Sequence, residues 1–365
     1  MQNSTHSQKS SLKQSKNKVF FLPGAYDGCY YYRGYMPGVY GGYTVMPDFA
    51  RKLYNDKQLT EKALEADVIV IQRPNEPIRV ELAKLLKARG KKVVFDNDDT
   101  YLPDKGVPLS MLANDRQREI ARKMNENLYE VLKIADLVIA STETLAEEYR
   151  EINPNVHVIG NFIDPLDEEP RRENKTGKYR IGFIGSVASN DDYIHIKDQL
   201  KRLAERGDVT IVVFGIKQQL TGKVLGAYEK DVAFWDSLPN VEWQNFVPIT
   251  EYYHTITKLC LDAVIIPRKD SYFNRCKSNV KFLEASLLRI PVIAQGFEDG
   301  QSPYQGEDEK YMTVVIDNST WYDTIVEVLQ DSKYKALAEK AHDYVLDKYN
   351  IKNNVWRWHE LFNTL

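Results

Sequence analysis

Residues 263–294 read Ala263-Val-Ile-Ile-Pro-Arg-Lys-Asp-Ser-Tyr-Phe-Asn-Arg-Cys-Lys-Ser-Asn-Val-Lys-Phe-Leu-Glu-Ala-Ser-Leu-Leu-Arg-Ile-Pro-Val-Ile-Ala294. An apolar run ends at Pro267, a polar and cationic stretch follows, and an amphipathic segment, Lys277 to Leu288, leads into a second apolar run at Pro291–Ala294. Short runs that are apolar throughout, joined by helical periods, are the pattern of parallel strands covered by helices on both faces. The alternation continues outward from this stretch. Arg180-Ile-Gly-Phe-Ile184 ends at Gly185, Tyr193 to Arg206 has a helical period, and Val209 to Phe214 ends at Gly215.

An earlier series has the same form. Its strands are Lys18–Leu22, Asp67–Ile71, Lys92–Phe95, Leu137–Ala140 and Val156–Ile159, with helices at Glu76–Arg89, about Asn114–Ile134 and from Thr142 through Tyr149. The polar stretch Pro165 to Lys178 reads as a linker. The expected fold class is therefore α/β: two Rossmann-like domains whose parallel sheets face each other across a cleft. The expected ranges are a tail at 1–17, a first domain at 18–165, a linker at 166–178 and a second domain at 179–342. A closing helix at 343–365, carrying Trp356 and Trp358, would return to the first domain.

The 365 residues suit two domains. A net charge of −3 excludes a globally basic nucleic-acid binder, and residues 1–165 balance 23 basic against 22 acidic side chains. Cys29, Cys260 and Cys276 have no metal-ligand spacing, the histidines form no HExxH, and there is no GxxxxGK[ST]. We expect no metal and no required cofactor. No stretch is apolar enough to span a membrane, and residues 1–17 lack a signal-peptide core, so the expectation is a disordered tail on a cytoplasmic protein. The chain does not reveal its oligomeric state.

In open α/β sheets ligands bind beyond the carboxyl ends of the strands, and four groups of residues lie there. Gly185-Ser186 is a turn that lets backbone N–H groups approach a phosphate, although glycine also serves tight turns for steric reasons. The stretch with Arg268, Lys277, Ser278, Asn279, Lys281 and Glu284 combines cations for a diphosphate with a carboxylate for a ribose diol. Lys277, Lys281 and Glu284 are spaced to share one helical face. An ordinary solvated Lys–Glu face is the plain alternative. Asp96, Asp98 and Asp99 crowd one strand end, where mutual repulsion would raise a carboxyl pKa and supply a base or acceptor anchor, where they would bind a divalent ion, or where they cap the next segment. The loop 24–42 brings Gly24, Tyr26, Tyr32 and Arg33 together among many of the chain's 23 tyrosines, for stacking on a substrate or for interdomain packing.

Several stretches resemble retaining, nucleotide-sugar-dependent glycosyltransferases of the GT-B fold, of the group 1-like kind found in bacteria and bacteriophages. They are FDNDDTYLP (95–103), ADLVIASTETLAEEY (135–149), VIGNFID (158–164), RIGFIGS (180–186) and FNRCKSNVKFLEASLLRIPVIA (273–294). The resemblance runs from Lys18 to the C-terminus. It implies transfer of a sugar from a nucleotide diphosphate sugar, a UDP-sugar first among the donors, to an acceptor hydroxyl with retention. Glu284 would hold the ribose, and Lys277 with Gly185-Ser186 the diphosphate. Asp98, Asp99, Tyr32 and Arg33 would face the acceptor, with Asp96, Gly24 and Tyr26 beside them. Asn161 and Asp164 match the segment where the chain leaves the first domain. Cys276 stands where the family has the first glutamate of E-x7-E, and Arg289 where it usually has glycine. The expected acceptor is a glycan or lipid-linked glycan, with a hydroxylated nucleobase of DNA or RNA as the alternative. A sugar-nucleotide epimerase and a non-catalytic nucleotide-sugar-binding protein are the competing readings.

Overall fold

The computed structural model describes residues 16–46, 56–102, 115–170, 172–185, 187–215 and 225–365. The expected tail falls outside these except for Lys16 and Asn17, and Ser186 and Pro103 fall outside as well.

The first sheet is parallel, in the order β1 (Val19–Leu22), β2 (Val68–Gln72), β3 (Lys92–Asn97), β4 (Leu137–Ala140), β5 (Val156–Val158). The second comprises β6 (Tyr179–Ile184), β7 (Val209–Phe214), β8 (Val241–Gln244), β9 (Ala263–Ile266), β10 (Val292–Gln295) and β11 (Thr313–Val315), in the order β11-β10-β9-β6-β7-β8. Every pairing is parallel. β1, β2, β4, β7, β9 and β10 are buried along their whole length, as both-face coverage requires. The edge strand β8 is half-exposed and polar in alternation, so its weak apolar signal hid it in the sequence.

The first-domain helices are α1 (residues 28–41, with a wide π turn at Tyr31–Tyr35), α2 (Asp56–Glu65), α3 (Pro77–Ala88), α4 (Asp115–Ile134) and α5 (Glu143–Arg150). The second domain adds α6 (Lys197–Ala204), α7 (Leu225–Ser237), α8 (Ile249–Lys258), α9 (Tyr272–Arg275), α10 (Val280–Leu287), α11 (Trp321–Gln330) and α12 (Lys333–Lys348). α13 (Ile351–Asn354) and α14 (Trp356–Phe362) end the chain.

Each sheet reverses its winding once. In the second, the chain runs outward from β6 to β8 and returns beside β6 as β9. In the first, α1 carries the chain past β1, where Thr44 bridges Phe20 in parallel, before it crosses back to β2. The crevices therefore open beyond β1/β2 and β6/β9. Gly24 lies in the first: a Cβ there would sit 2.4 Å from the Gln72 carbonyl oxygen, so the chain turns this close to β2 only with glycine.

The expected single closing helix is instead broken. α12 stops at Lys348, and the Asn350 side chain accepts from the Lys352 N–H to start α13. At the break the two strands of the domain connection bind each other, Ile163 N–H to the Tyr349 carbonyl at 2.9 Å and Ile351 N–H to the Ile163 carbonyl at 3.0 Å. Beyond it, Ile351, Trp358, Leu361 and Phe362 enter the first domain's core, Trp358 fully buried edge-on to Phe162. Replacing Trp358 by Ala leaves a cavity in this return packing and should lower unfolding free energy by about 3–5 kcal/mol, read as a shift in urea midpoint.

Candidate functional site

The carboxyl ends of both sheets border one cleft of about 370 Å³. On the first-domain wall, Arg73 follows β2 in a left-handed conformation, φ 48°, and its guanidinium is shared by two carboxylates. Nε donates to Asp98 Oδ1 at 2.8 Å and Nη2 to Asp99 Oδ2 at 2.6 Å. The other Asp99 oxygen accepts from Lys277 Nζ of the second domain at 2.5 Å. Opposite charges thus alternate where the sequence showed only crowded acids. Burial pushes the Asp98 carboxyl upward, but Arg73, with Arg33 and Lys277 behind it, outweighs burial and holds it below its ordinary value. Asp98 is an ionised hydrogen-bond acceptor, not the raised-pKa base that repulsion alone implied.

Asp96 faces the other way. Arg33 grips it through Nε at 3.0 Å and Nη2 at 2.8 Å, and both side chains are 0% exposed. Nη1 of Arg33 also donates to the Ile159 carbonyl at 2.6 Å and to Asn161 Oδ1 at 3.3 Å, pinning the segment by which the chain leaves the first domain. Arg33 and Asp96, expected among the acceptor contacts, spend their hydrogen bonds on each other and on this exit. Tyr26 packs edge-on to Tyr30 and is not among the cleft-lining residues. Asp27 and Cys29 do line it. Asp27 caps α1 by accepting from the Cys29 and Tyr30 N–H groups, and burial raises the Cys29 thiol well above its ordinary value.

On the second-domain wall, α10 begins at Val280, so Lys277 precedes the helix instead of sharing its face with Lys281 and Glu284. The turn at Lys277-Ser278-Asn279, between α9 and α10, takes up the first residues that the apolar period assigned to the helix. The Lys277 ammonium lies 4.1 Å above the Phe273 ring. Glu284 is buried and accepts from Tyr32 at 2.8 Å, Tyr252 at 2.7 Å and Lys281 at 2.9 Å. Arg268 lines the cleft, buried and paired with Asp192 at 2.6 Å. Ser278 accepts from Asn161 across the domains at 2.8 Å, whereas Asn279 turns away to donate to Asp308 at 2.5 Å.

Gly185 borders the cleft, but its N–H is spent on the Phe214 carbonyl at 3.3 Å. The glycine that the packing of these turns requires is Gly215: with φ 86°, a Cβ there would come within 2.6 Å of the Gly185 carbonyl oxygen.

The two departures from the family's pattern have structural reasons. Cys276 is fully buried in the first domain's core, its carbonyl accepting from Thr142, and burial beside Glu148 pushes the thiol up to about 12. It is packing, not a carboxylate substitute. Arg289 adopts the left-handed conformation after α10, φ 56°, which is where glycine is favoured. Its partly exposed side chain bridges Glu168 of the linker at 2.7 Å and Glu339 at 3.1 Å.

Arg73, Tyr252 and Tyr253 were missed in the sequence. Arg73 was findable, since it directly follows a strand. Tyr252 and Tyr253 lie on a helix with no such marker. Among the described residues, no cluster of three or more His, Cys, Asp or Glu is arranged for a metal ion, and no helix is long and apolar enough to cross a membrane.

Two parallel-sheet domains, a cleft between their carboxyl ends and a C-terminal return into the first domain define the GT-B fold, and solved structures of that fold match nearly the whole chain. HepE of Anabaena, in complex with UDP-glucose, is 14% identical over 96% of this chain and 100% of its own, with a TM-score of 0.63. An α-glucosyltransferase (AGT) in complex with UDP is 13% identical over 96% and 100%, with a TM-score of 0.64. TarM is 16% identical with a TM-score of 0.57; 85% of this chain aligns, spanning 59% of that one. No protein-family model matches the chain, and no curated protein matches it in sequence. At these identities the likeness establishes the fold.

The site also predicts a pH dependence. Tyr31 donates to Asp167 at 2.5 Å beside the cleft, and burial, helped by Asp164 and Glu284, raises the Asp167 carboxyl to about 6. The folded state then binds this proton more tightly than the unfolded chain, whose carboxyl titrates near about 3.9. The contribution is present at low pH and is lost as pH rises through about 6. The urea midpoint of the wild type, relative to Asp167→Asn, should fall between pH about 4 and about 6; parallel profiles would contradict the assignment.

Proposed function

We propose that this chain is a glycosyltransferase that moves a sugar from a UDP-sugar to an acceptor hydroxyl, with retention at the anomeric carbon. The observation that carries the reading is the convergence of Lys277, Arg268 and Glu284 on one cleft, at the reversal of the second sheet. Two cations beside a buried carboxylate suit a nucleoside diphosphate: the cations take the diphosphate, the carboxylate the ribose hydroxyls. Charge builds on the leaving phosphate as the glycosidic bond breaks, and Lys277 and Arg268 are placed to offset it. That phosphate helps remove the acceptor proton, so no protein nucleophile is required. Asp98, Asp99 and Arg73 form the wall from which an acceptor hydroxyl would approach, with Asp98 accepting its hydrogen bond. Closure of the domains excludes water.

UDP as the nucleotide is supported by the UDP and UDP-glucose complexes among the similar structures. We place a glycan or lipid-linked glycan first as acceptor. The second reading, a hydroxylated nucleobase, is favoured by one observation. An α-glucosyltransferase in complex with UDP and a 13-mer DNA containing a HMU base is 13% identical over 96% of this chain and 99% of its own, with a TM-score of 0.63.

Thermal stability across UDP-, GDP-, ADP-, dTDP- and CMP-sugars tests the donor. A ligand at about 100 times its Kd stabilises by about 2.7 kcal/mol, and only UDP-sugars should do so. Acceptor-dependent release of UDP, measured with glycans and with oligonucleotides carrying hydroxymethyl bases, then separates the two acceptors. Interconversion of donor sugars without acceptor would indicate an epimerase, and binding without turnover a binding protein. Lys277→Ala and Glu284→Ala should each weaken UDP binding at least about tenfold; full affinity in both would remove the site assignment.

A further inference from the structure

We propose that Tyr32 is a positioning residue that reaches from the first domain to hold the Glu284 carboxylate, and that its hydroxyl must withdraw before the donor's ribose can bind there. The inference rests on the reading of Glu284 as the ribose acceptor. It starts from the tyrosines of α1. Tyr31 donates to Asp167, Tyr32 to Glu284 and Tyr40 to Asp164, so one first-domain helix grips the linker region and the donor wall together. The π turn at Tyr31–Tyr35 lets consecutive residues reach different partners. Tyr32 is buried, and burial with Glu284 beside it raises its phenol well above the ordinary value, so it remains a donor; Tyr253 completes it at 2.8 Å.

A count of acceptor positions supplies the rest. An ionised carboxylate offers about four lone-pair positions. Tyr32 occupies one on Oε1, while Tyr252 and Lys281 occupy both on Oε2. One position remains, and a ribose diol needs two. One of the three donors must leave. Tyr252 and Lys281 are carried by α8 and α10, in the same domain as Glu284, and they move with it. Tyr32 alone belongs to the other domain, so opening of the cleft removes it and no other. The hydroxyl thereby links donor loading to domain opening and competes with the diol itself.

Calorimetric titration of wild type and Tyr32→Phe with UDP and with 2′,3′-dideoxy-UDP tests this. The expected result is UDP binding about three- to tenfold tighter in the variant, with the dideoxy affinity unchanged. Tyr31→Phe, which loosens α1 away from Glu284, should show no such split, and melting curves confirm that each variant is folded. Equal changes for both nucleotides, or weaker UDP binding in Tyr32→Phe, would overturn the proposal while leaving the ribose assignment standing. A wild type that binds both nucleotides equally would overturn the ribose assignment, and the proposal with it.

Discussion

Asp98, Arg73, Asp99 and Lys277 form a chain of alternating charge, and the cleft depends on it. The first three belong to strand ends of one sheet, the fourth to the other domain. Their side chains are 13–19% exposed, between the surface pairs that contribute little and buried pairs whose desolvation cancels most of their attraction. Net stabilisation is therefore not its purpose. Removing any one member leaves a neighbour uncompensated, which is what makes the geometry specific. The same reasoning applies to Arg33 and Asp96, which sit without solvent contact one layer below and hold the first domain's exit segment in place.

The distribution of tyrosine follows from the same constraint. A helix that must face a buried carboxylate in another domain needs donors that stay protonated and bring their own apolar area. Tyrosine meets both needs, with a rigid ring for packing and one hydroxyl for the carboxylate. Of the two uses the sequence offered for this cluster, stacking on a substrate or interdomain packing, the contacts of Tyr31, Tyr32 and Tyr40 fit the second. Asp308 plays a matching part on the far side, accepting from Asn279, Tyr344 and Tyr349 and so joining the turn after Lys277 to the break in the closing helix.

The strands and most helices were legible because their cause is local. A buried parallel strand must be apolar on both faces, and Val68–Gln72 or Val209–Phe214 announces itself for that reason. The half-exposed β8 and the late start of α10 were not legible, since an edge strand and a capped turn change only a few side chains. Lys277, Glu284, Asp98 and Asp99, picked out from the stretches that run off strand ends, line the cleft, and Arg73 was within reach of the same rule. That Arg33 would turn inward and that Cys276 would pack against the first domain had no marker in the chain.

What the sequence by itself determined is the series of strands, their parallel pairing and the chemical kinds of residue at the strand ends, because these follow from periodicity and connection length. Only the tertiary structure decided which of those residues meet. Tyr32 and Glu284 are 252 positions apart, and Asp99 and Lys277 are 178 apart. Such pairs are brought together by the packing of two domains around one cleft, and no local pattern records the distance between side chains on separate cores.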